Sequence, residues 1–168
     1  MERLTSSRAR TLSPLLVRYS FINKSEIKIQ KGKLGRSHLY LDTTAIVNKR
    51  FQDGLSILFF AMINAGKQNS INVPCFVNEK EENTKLNFYS EREAVSIESV
   101  DYDIDCSRLD GETNFVSVYG LTGYFEGWFS NDSLSVPIIA KMQVIIGSVT
   151  LELMQWNKEL WKPPEFKD

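Results

Sequence analysis

The chain has 168 residues, of which 42% are hydrophobic and 24% charged, and its formal net charge is −1. These values are those of an ordinary globular protein with enough chain to bury a core, so they exclude a disordered or fibrous class. The longest apolar block covers residues 55–63. A membrane-spanning helix needs roughly 18 apolar residues, so no transmembrane segment is predicted.

Charge is unevenly distributed along the chain. Residues 1–50 have a net charge of +8, from eleven Lys and Arg against three acidic residues, and residues 51–168 have −9, from nine against eighteen. A basic segment is compatible with a nucleic-acid or anionic-lipid partner. The basic residues are dispersed, however, and no aromatic stacking pattern accompanies them. We therefore expect basic strands to lie beside acidic strands in one sheet, and we predict no nucleic-acid partner.

The first third of the chain is predicted to form antiparallel strands that are polar on one side. Residues 1–20 lack the continuous apolar core of an export signal. We expect them to lead into an ordinary edge strand, and their Arg- and Ser-rich composition leaves a transit peptide as the alternative. Two glycines in the loop that follows the second strand suit a hairpin. Alternation of apolar and polar residues places the strands at residues 15–22, 26–30, 37–42 and 43–49.

A single helix is predicted over residues 54–65. Asp53 can accept hydrogen bonds from the free backbone N–H groups of the first turn, and Gly66 can end the helix in a left-handed conformation. The segment between them is apolar on nearly all sides, which predicts a helix buried on most sides. A charge at Leu58 or Phe59 is then expected to unfold the domain.

The rest of the chain is predicted to be a succession of strands in the same β-rich domain, which would extend over residues 1–156. Pro74 inside a strand indicates an edge or a bulge, because proline cannot donate to a neighbouring strand. A charged turn is expected at residues 78–83. Residues 157–168 contain two consecutive prolines and are expected to be an extended, loosely held tail. The strands are predicted at residues 71–77, 85–90, 94–98, 100–109, 115–121, 124–130, from the turn at 131–133 to 146, and 149–153.

No catalytic or metal-binding site and no cofactor are predicted. Asp101, Asp103 and Asp105 match acidic positions of a calcium loop, but the sixth position of that loop needs glycine and is Cys106 here. The alternation instead predicts a strand with a solvated acidic face. His38 is the only histidine, which excludes a histidine pair or cluster, and it is expected to be an exposed strand residue.

Cys75 and Cys106 are the two cysteines of the chain, so a single disulfide is the most that they can form. Each lies in an apolar, strand-like context, where a free thiol usually behaves as a small hydrophobic side chain. A Cys75–Cys106 disulfide, formed in an oxidising compartment, is the alternative. The sequence does not decide between the two, because it does not give the distance between the cysteines.

The chain from Asp53 onward also carries a series of motifs in a specific order and spacing. They are DGLS at 53–56, INVPCFV at 71–77, IDCSRL at 104–109, GWFSND at 127–132, VPI at 136–138 and GSVTLEL at 147–153. Together these motifs, over residues 50–156, resemble the bacterial domain of unknown function 3108 family. The resemblance implies an exported cell-envelope protein of Gram-negative bacteria, often Bacteroidota, with a curved sheet similar to periplasmic lipid-carrier half-barrels. Because members of that family begin with a signal peptide and additional strands, the chain is expected to be N-terminally shortened.

The sequence therefore predicts a mostly β fold, a curved antiparallel sheet or open half-barrel with one buried helix. The predicted function is that of a non-enzymatic periplasmic or cell-envelope protein that binds a lipid or glycan on the concave face of the sheet. The candidate ligand-lining residues are Leu58, Phe59 and Met62, since a Phe- and Met-rich cluster can line a lipid pocket. A structural or protein-interaction module without a small ligand is the alternative. A hydrolase is the third and least favoured interpretation. An enzyme of this kind needs a cluster of titratable groups in a cleft, and the sequence does not display one.

Overall fold

The computed structural model describes residues 15–116 and 121–167. The sequence predicts one domain over residues 1–156, whereas the chain forms two compact units, Met1–Arg50 and Phe51–Asp168. Each unit has its own antiparallel sheet, so the basic strands of the first unit and the acidic strands of the second are not paired in one sheet. The prediction that the basic strands of the first third and the acidic strands of the rest belong to one sheet is therefore wrong. The mostly β fold with one helix is confirmed.

Within residues 15–50, the first unit contains three strands in the order β1-β2-β3. Asn23 makes the first turn, because its side-chain oxygen accepts from the backbone N–H of Ser25 at 2.7 Å. The predicted strands 37–42 and 43–49 form one strand, since pairing with β2 continues without interruption from Asp42 to Thr43. The strands are β1 at Leu15–Phe21, β2 at Glu26–Lys33 and β3 at Leu39–Ile46.

The second unit begins with the helix α1, Gly54–Asn64. Asp53 caps it as predicted, since its carboxylate accepts from the backbone N–H of Ser56 at 2.7 Å. Gly66 follows the last turn with a φ of 74°, a conformation that glycine adopts without steric cost. The position and both ends of the helix are thus close to the prediction.

The burial of α1 differs from the prediction. Ala61 is buried against the sheet, but Leu58, Phe59 and Ile63 are 42%, 61% and 70% exposed. The prediction that α1 is buried on most sides is wrong, so burial no longer supports the expectation that a charge at Leu58 or Phe59 unfolds the domain. A helix lying on a sheet buries one stripe of side chains, and the nearly uniform apolar composition of α1 concealed which stripe this is.

The six strands after α1 form a meander in which each strand pairs antiparallel with the next along the chain. The sheet is open, with β4 at one edge and β9 at the other. Of the predicted strand 115–121, residues 117–120 lie outside the described residues. The strands are β4 at Asn69–Val77, β5 at Lys80–Val95, β6 at Ile104–Thr113, β7 at Leu121–Ser130, β8 at Pro137–Val144 and β9 at Ser148–Glu152.

β5 is longer than predicted. The turn before it consists of Asn78 and Glu79 alone, both with positive φ, which suits a two-residue hairpin. The two predicted strands 85–90 and 94–98 join through an irregularity in the pairing with β6, between Phe88 and Arg92. Such a bulge keeps a strand continuous while changing its register, and alternation alone does not reveal it.

The sheet has a helix face, on which α1 packs, and an opposite face. Side chains from β4 to β7 form the core beneath α1; the buried members are Val73, Cys75, Val77, Leu86, Phe88, Leu109 and Phe129. Gly111 lies on the helix face, where an added Cβ would collide with the Phe125 ring and with the backbone oxygen of Lys85. Glycine is therefore required here for the aromatic ring to lie directly on the sheet.

The C-terminal segment begins with a turn at residues 158–160 and is extended, as predicted, only after that turn; it is not loosely held. Two backbone hydrogen bonds attach it to the start of β6: Asp105 N–H donates to Pro164 O, and Phe166 N–H donates to Asp103 O, both at 2.8 Å. Pro163 is fully buried. Extended proline backbone can lie along a strand end, and the buried ring adds apolar contact. The prediction of a loose tail is therefore wrong.

Candidate functional site

The predicted ligand-lining residues do not lie together in one pocket. Leu58 and Phe59 lie on the exposed side of α1, whereas Met62 is partly buried against the core under the helix. A depression of about 310 Å³ lies elsewhere, before β6, and is lined by Ser96, Val100, Asp101, Tyr102 and Asp103. The helix therefore offers an exposed apolar row, which we define as Leu58, Phe59 and Ile63, and not an enclosed cavity lined by all three predicted residues.

A second candidate site, which the sequence did not reveal, lies on the opposite face of the sheet. Direct pairing aligns Asn87 with Asp110 and Asp110 with Glu126, so these three side chains lie in a row across β5, β6 and β7. Polar and aromatic side chains surround that row. We call this group the Arg108 cluster; its members are Asn87, Tyr89, Glu93, Arg108, Asp110, Tyr124, Glu126 and Trp128.

Asp110 is the buried acceptor of the Arg108 cluster. One carboxylate oxygen accepts from Asn87 Nδ2 at 2.7 Å, and the other accepts from the Tyr89 hydroxyl at 2.7 Å and from Arg108 at 3.2 Å. Burial alone would raise the pKa of Asp110, but the hydrogen bonds from Asn87 and Tyr89 and the charge of Arg108 outweigh it, so the pKa lies below its ordinary value. Asp110 is therefore ionised at neutral pH.

Arg108 links three carboxylates and one aromatic ring. Besides Asp110, its guanidinium lies 3.5 Å from Glu126 Oε1 and 3.9 Å from Glu93 Oε1. Its Cζ atom is 4.7 Å from the centroid of the Tyr89 ring, in cation–π contact. The planar guanidinium can hold several acceptors at once, which explains how one cation organises side chains from three strands.

Tyr124 and Trp128 supply the aromatic part of the site. The Tyr124 hydroxyl donates to Glu126 Oε1 at 3.2 Å, and the side chain is 42% exposed. Burial of the hydroxyl end and the charges of Asp110 and Glu126 raise the pKa of Tyr124 to about 12. Trp128 Nε1 donates to Glu93 Oε2 at 2.7 Å. The site thus combines ionised acceptors, protonated hydroxyl groups and aromatic rings in fixed positions.

The acidic residues around β6 do not form the predicted solvated face. Asp101 and Asp103 are exposed but precede the strand, whereas Asp105 is buried on the helix face. Both Asp105 oxygens accept from Arg92 Nε, at 3.1 and 3.0 Å, and one also accepts from Asn131. The prediction is therefore wrong: Asp101 and Asp103 precede β6, which begins at Ile104, and Asp105 lies in β6 but is buried. Within residues 15–116 and 121–167, no three His, Cys, Asp or Glu side chains are arranged to hold a metal ion.

The remaining predicted residues lie apart from the Arg108 cluster or contribute to packing. His38 is exposed in the loop before β3. Cys75 and Cys106 are free and buried, on β4 and β6, with β5 between them. Two strand spacings amount to about 10 Å, which is too far for a disulfide. Burial raises the pKa of both thiols, that of Cys106 to about 12.

The structure thus defines an open antiparallel meander that carries a helix on one face and a polar, aromatic cluster on the other. Comparisons with protein-family models, curated proteins and solved structures give no match for this chain. In the described part of the chain, no helix has the length and apolar character needed to cross a membrane.

Proposed function

We propose that this is a non-enzymatic cell-envelope protein that binds a glycan through the Arg108 cluster on the opposite face of its sheet. The single observation that carries the proposal is the network from Tyr89 through Asp110 and Arg108 to Glu126 and Tyr124. The envelope location is supported by the sequence motifs that resemble the bacterial domain of unknown function 3108 family.

The chemistry of the Arg108 cluster suits a polyhydroxylated ligand. Sugar hydroxyl groups donate to carboxylates and accept from guanidinium and phenol groups, all of which are present. The apolar side of a sugar ring packs on aromatic rings, and Tyr124 is the most exposed ring of the cluster. Three neighbouring strands span roughly 10 Å, a distance that one or two sugar rings cover. Since the network already holds its side chains in place, binding would require little further ordering.

The pKa directions support binding over proton transfer. The pKa of Asp110 is lowered and that of Tyr124 is raised, so neither group changes its protonation near neutral pH. General acid–base catalysis works best when the pKa of the group is near the working pH. This argues against the hydrolase interpretation for these two residues.

Isothermal titration with short oligosaccharides tests the glycan proposal. The panel contains N-acetylglucosamine oligomers and neutral hexose oligomers. We expect Tyr124→Ala to weaken the binding of the responding oligosaccharide by about tenfold or more, because it removes the exposed ring and its hydroxyl. Tyr40→Ala is the matched control, since Tyr40 is an exposed tyrosine in the other sheet. No response from any oligosaccharide, or equal weakening by both variants, contradicts the proposal.

An amphiphilic lipid bound to the exposed apolar row of α1 is the second candidate. The supporting observation is that Leu58, Phe59 and Ile63 expose 42%, 61% and 70% of their surfaces on one short helix. Native mass spectrometry after gentle extraction should then detect a co-purifying lipid that Phe59→Ser reduces and Leu160→Ser does not. Leu160 is a suitable control because it is an exposed leucine in the C-terminal segment. A lipid retained equally by both variants excludes the α1 row as its site.

A further inference from the structure

The four strand edges of the two sheets differ in how they are protected against pairing with another chain. An exposed edge is a template for further strands, and proteins usually block it with charge, proline or a covering segment. Arg18 lies in the middle of β1, and Asp42 lies in the middle of β3. Pro74 lies within β4 and has no backbone N–H to donate, and Gln52 also covers that edge through backbone hydrogen bonds to Pro74 and Phe76 of 2.8 and 3.0 Å.

Among residues 15–116 and 121–167, β9 has none of these protections. Its sequence, SVTLE, contains no proline, and its pairing with β8 has no bulge. Its only charge, Glu152, stands at the end of the strand, where the carboxylate accepts from the backbone N–H of Glu98 at 2.6 Å. Val149 and Leu151 are 38% and 53% exposed. The outer edge of β9 is therefore regular, uncharged along most of its length, and apolar on the helix face.

A separate row of paired apolar side chains, which we call the helix-face row, runs across the sheet to this edge. Phe125 on β7 pairs with Met142 on β8, and Met142 pairs with Val149 on β9. Directly paired residues lie on the same face of a sheet, so in the described part of the chain the row ends at Val149, on the edge strand. A further strand would extend this row if it placed an apolar side chain opposite Val149.

We propose that β9 pairs antiparallel with β9 of a second copy of the chain, about a two-fold axis at Thr150. In this register Val149 lies opposite the partner's Leu151, and Ser148 lies opposite the partner's Glu152. The helix-face row continues across the axis, and no like charges face each other. The two six-stranded sheets become one sheet of twelve strands through an isologous contact.

Other registers are less favourable for this strand. An axis at Glu152 would place two glutamates opposite each other, and any axis away from Thr150 pairs fewer of the five residues of β9. A five-residue strand pair is at the small end of specific interfaces, so the dimer is expected to be weak and dependent on concentration. The proposal is independent of any ligand, because the Arg108 cluster lies on β5, β6 and β7.

Disulfide trapping tests both the pairing and its register. Thr150→Cys places two thiols opposite each other across the axis, at a Cα separation of about 4.5–5.5 Å that a disulfide tolerates. Thr44→Cys is the matched control, because Thr44 is an exposed threonine on the edge strand β3. The native cysteines are buried and do not compete. We expect Thr150→Cys to form covalent dimers about tenfold faster than Thr44→Cys under mild oxidation, and equal rates would overturn the proposal.

Sedimentation velocity over a concentration series provides the second measurement. The unmodified chain should shift from monomer toward dimer, and Leu151→Lys should remain monomeric because it buries a charge opposite Val149. Mixing Leu151→Lys with Val149→Glu should restore a heterodimer, since these positions face each other in the proposed register. A dimer that persists in Leu151→Lys, or an unmodified chain that stays monomeric throughout, would also overturn it. Both variants change exposed positions, and thermal melting verifies that they remain folded.

Discussion

Asp110 is the residue on which the Arg108 cluster depends. Its carboxylate accepts hydrogen bonds from the Asn87 amide, the Tyr89 hydroxyl and the Arg108 guanidinium. Its carboxylate is nearly removed from water, so the three donors replace its hydration. Loss of the negative charge would leave Arg108 with the more distant carboxylates of Glu126 and Glu93 and with the Tyr89 ring. The stability of the cluster is therefore concentrated in one side chain.

Asp110→Asn is expected to lower the free energy of unfolding by about 1–3 kcal/mol, since hydrogen bonds to a charged group are replaced by weaker or mismatched ones. Chemical denaturation measured by circular dichroism gives the value. Asp42→Asn is the control: its ion pair with Lys28, at 3.5 Å, is on the surface, and about 0.5 kcal/mol or less is expected. An equal effect of the two substitutions would contradict the central role of Asp110.

Asp110 should also make the free energy of unfolding depend on pH. Because the folded-state pKa of Asp110 is lowered, its contribution to stability is present above the unfolded-state value, about 3.9, and is lost as the pH falls through the folded-state pKa. The difference in unfolding free energy between the unmodified chain and Asp110→Asn should therefore shrink on acidification from pH 7 to pH 3. A difference that stays constant over this range would show that the charge of Asp110 is not the cause.

At the level of elements, α1 shows that a helix can be located from its ends while its buried side stays hidden. Asp53 and Gly66 mark its limits through cap chemistry, which depends on single residues. The buried stripe depends on which side meets the sheet, and a helix that is apolar nearly all round has no polar side to indicate it. The structure places Ala61 inward and Phe59 outward.

Charge substitutions on α1 provide the corresponding test. Phe59→Lys should change the free energy of unfolding by about 0.5 kcal/mol or less, because the side chain is already in water. Ala61→Asp should cost at least about 3 kcal/mol, because it buries an unpaired charge against the sheet. Urea denaturation of both variants measures the two values. A large loss in Phe59→Lys together with a small loss in Ala61→Asp would mean that α1 packs through its other side.

The C-terminal segment is the element whose behaviour the sequence predicted least well. The two prolines correctly indicated extended backbone, but they carried no information on what that backbone contacts. Trp161 donates to Asp132 at 2.7 Å, and the Tyr102 hydroxyl donates to Pro163 O at 3.0 Å. These partners are about 29 and 61 residues apart in sequence, so only the folded sheet brings them together.

Removal of the Trp161–Asp132 hydrogen bond should lower the stability of the fold by a measurable amount. Trp161→Phe keeps a ring but deletes the donor to Asp132, and we expect it to lower the free energy of unfolding by about 1–2 kcal/mol. Leu160→Ala, at the neighbouring exposed position, should have almost no effect. Thermal melting of the two variants gives the comparison. If Leu160→Ala is as destabilising as Trp161→Phe, the segment is held by general apolar contact and not by the indole hydrogen bond.

For the whole molecule, the strands and the helix followed from residues that are near each other in sequence, whereas the candidate site did not. Alternation located most strands of both sheets, since period two is a local property. The Arg108 cluster arises from register: Asn87, Arg108 and Glu126 become neighbours only after β5, β6 and β7 align. The polar alternation of Tyr124, Glu126 and Trp128 along β7 was the one local signal of this surface.

The two buried cysteines allow a test of whether the second unit, Phe51–Asp168, unfolds as a single cooperative body. Cys75 lies in the core beneath α1, and Cys106 lies in a separate apolar cluster with Ile104 and Ile138. Burial raises the pKa of both thiols, so neither should react with a thiol reagent in the folded state at neutral pH. We expect Cys75→Ser and Cys106→Ser, which each leave one thiol, to be labelled at the same rate in moderate urea, because both clusters share the strands β5 to β7. Faster labelling of one thiol would show that its cluster opens independently and that the sheet is not one cooperative unit.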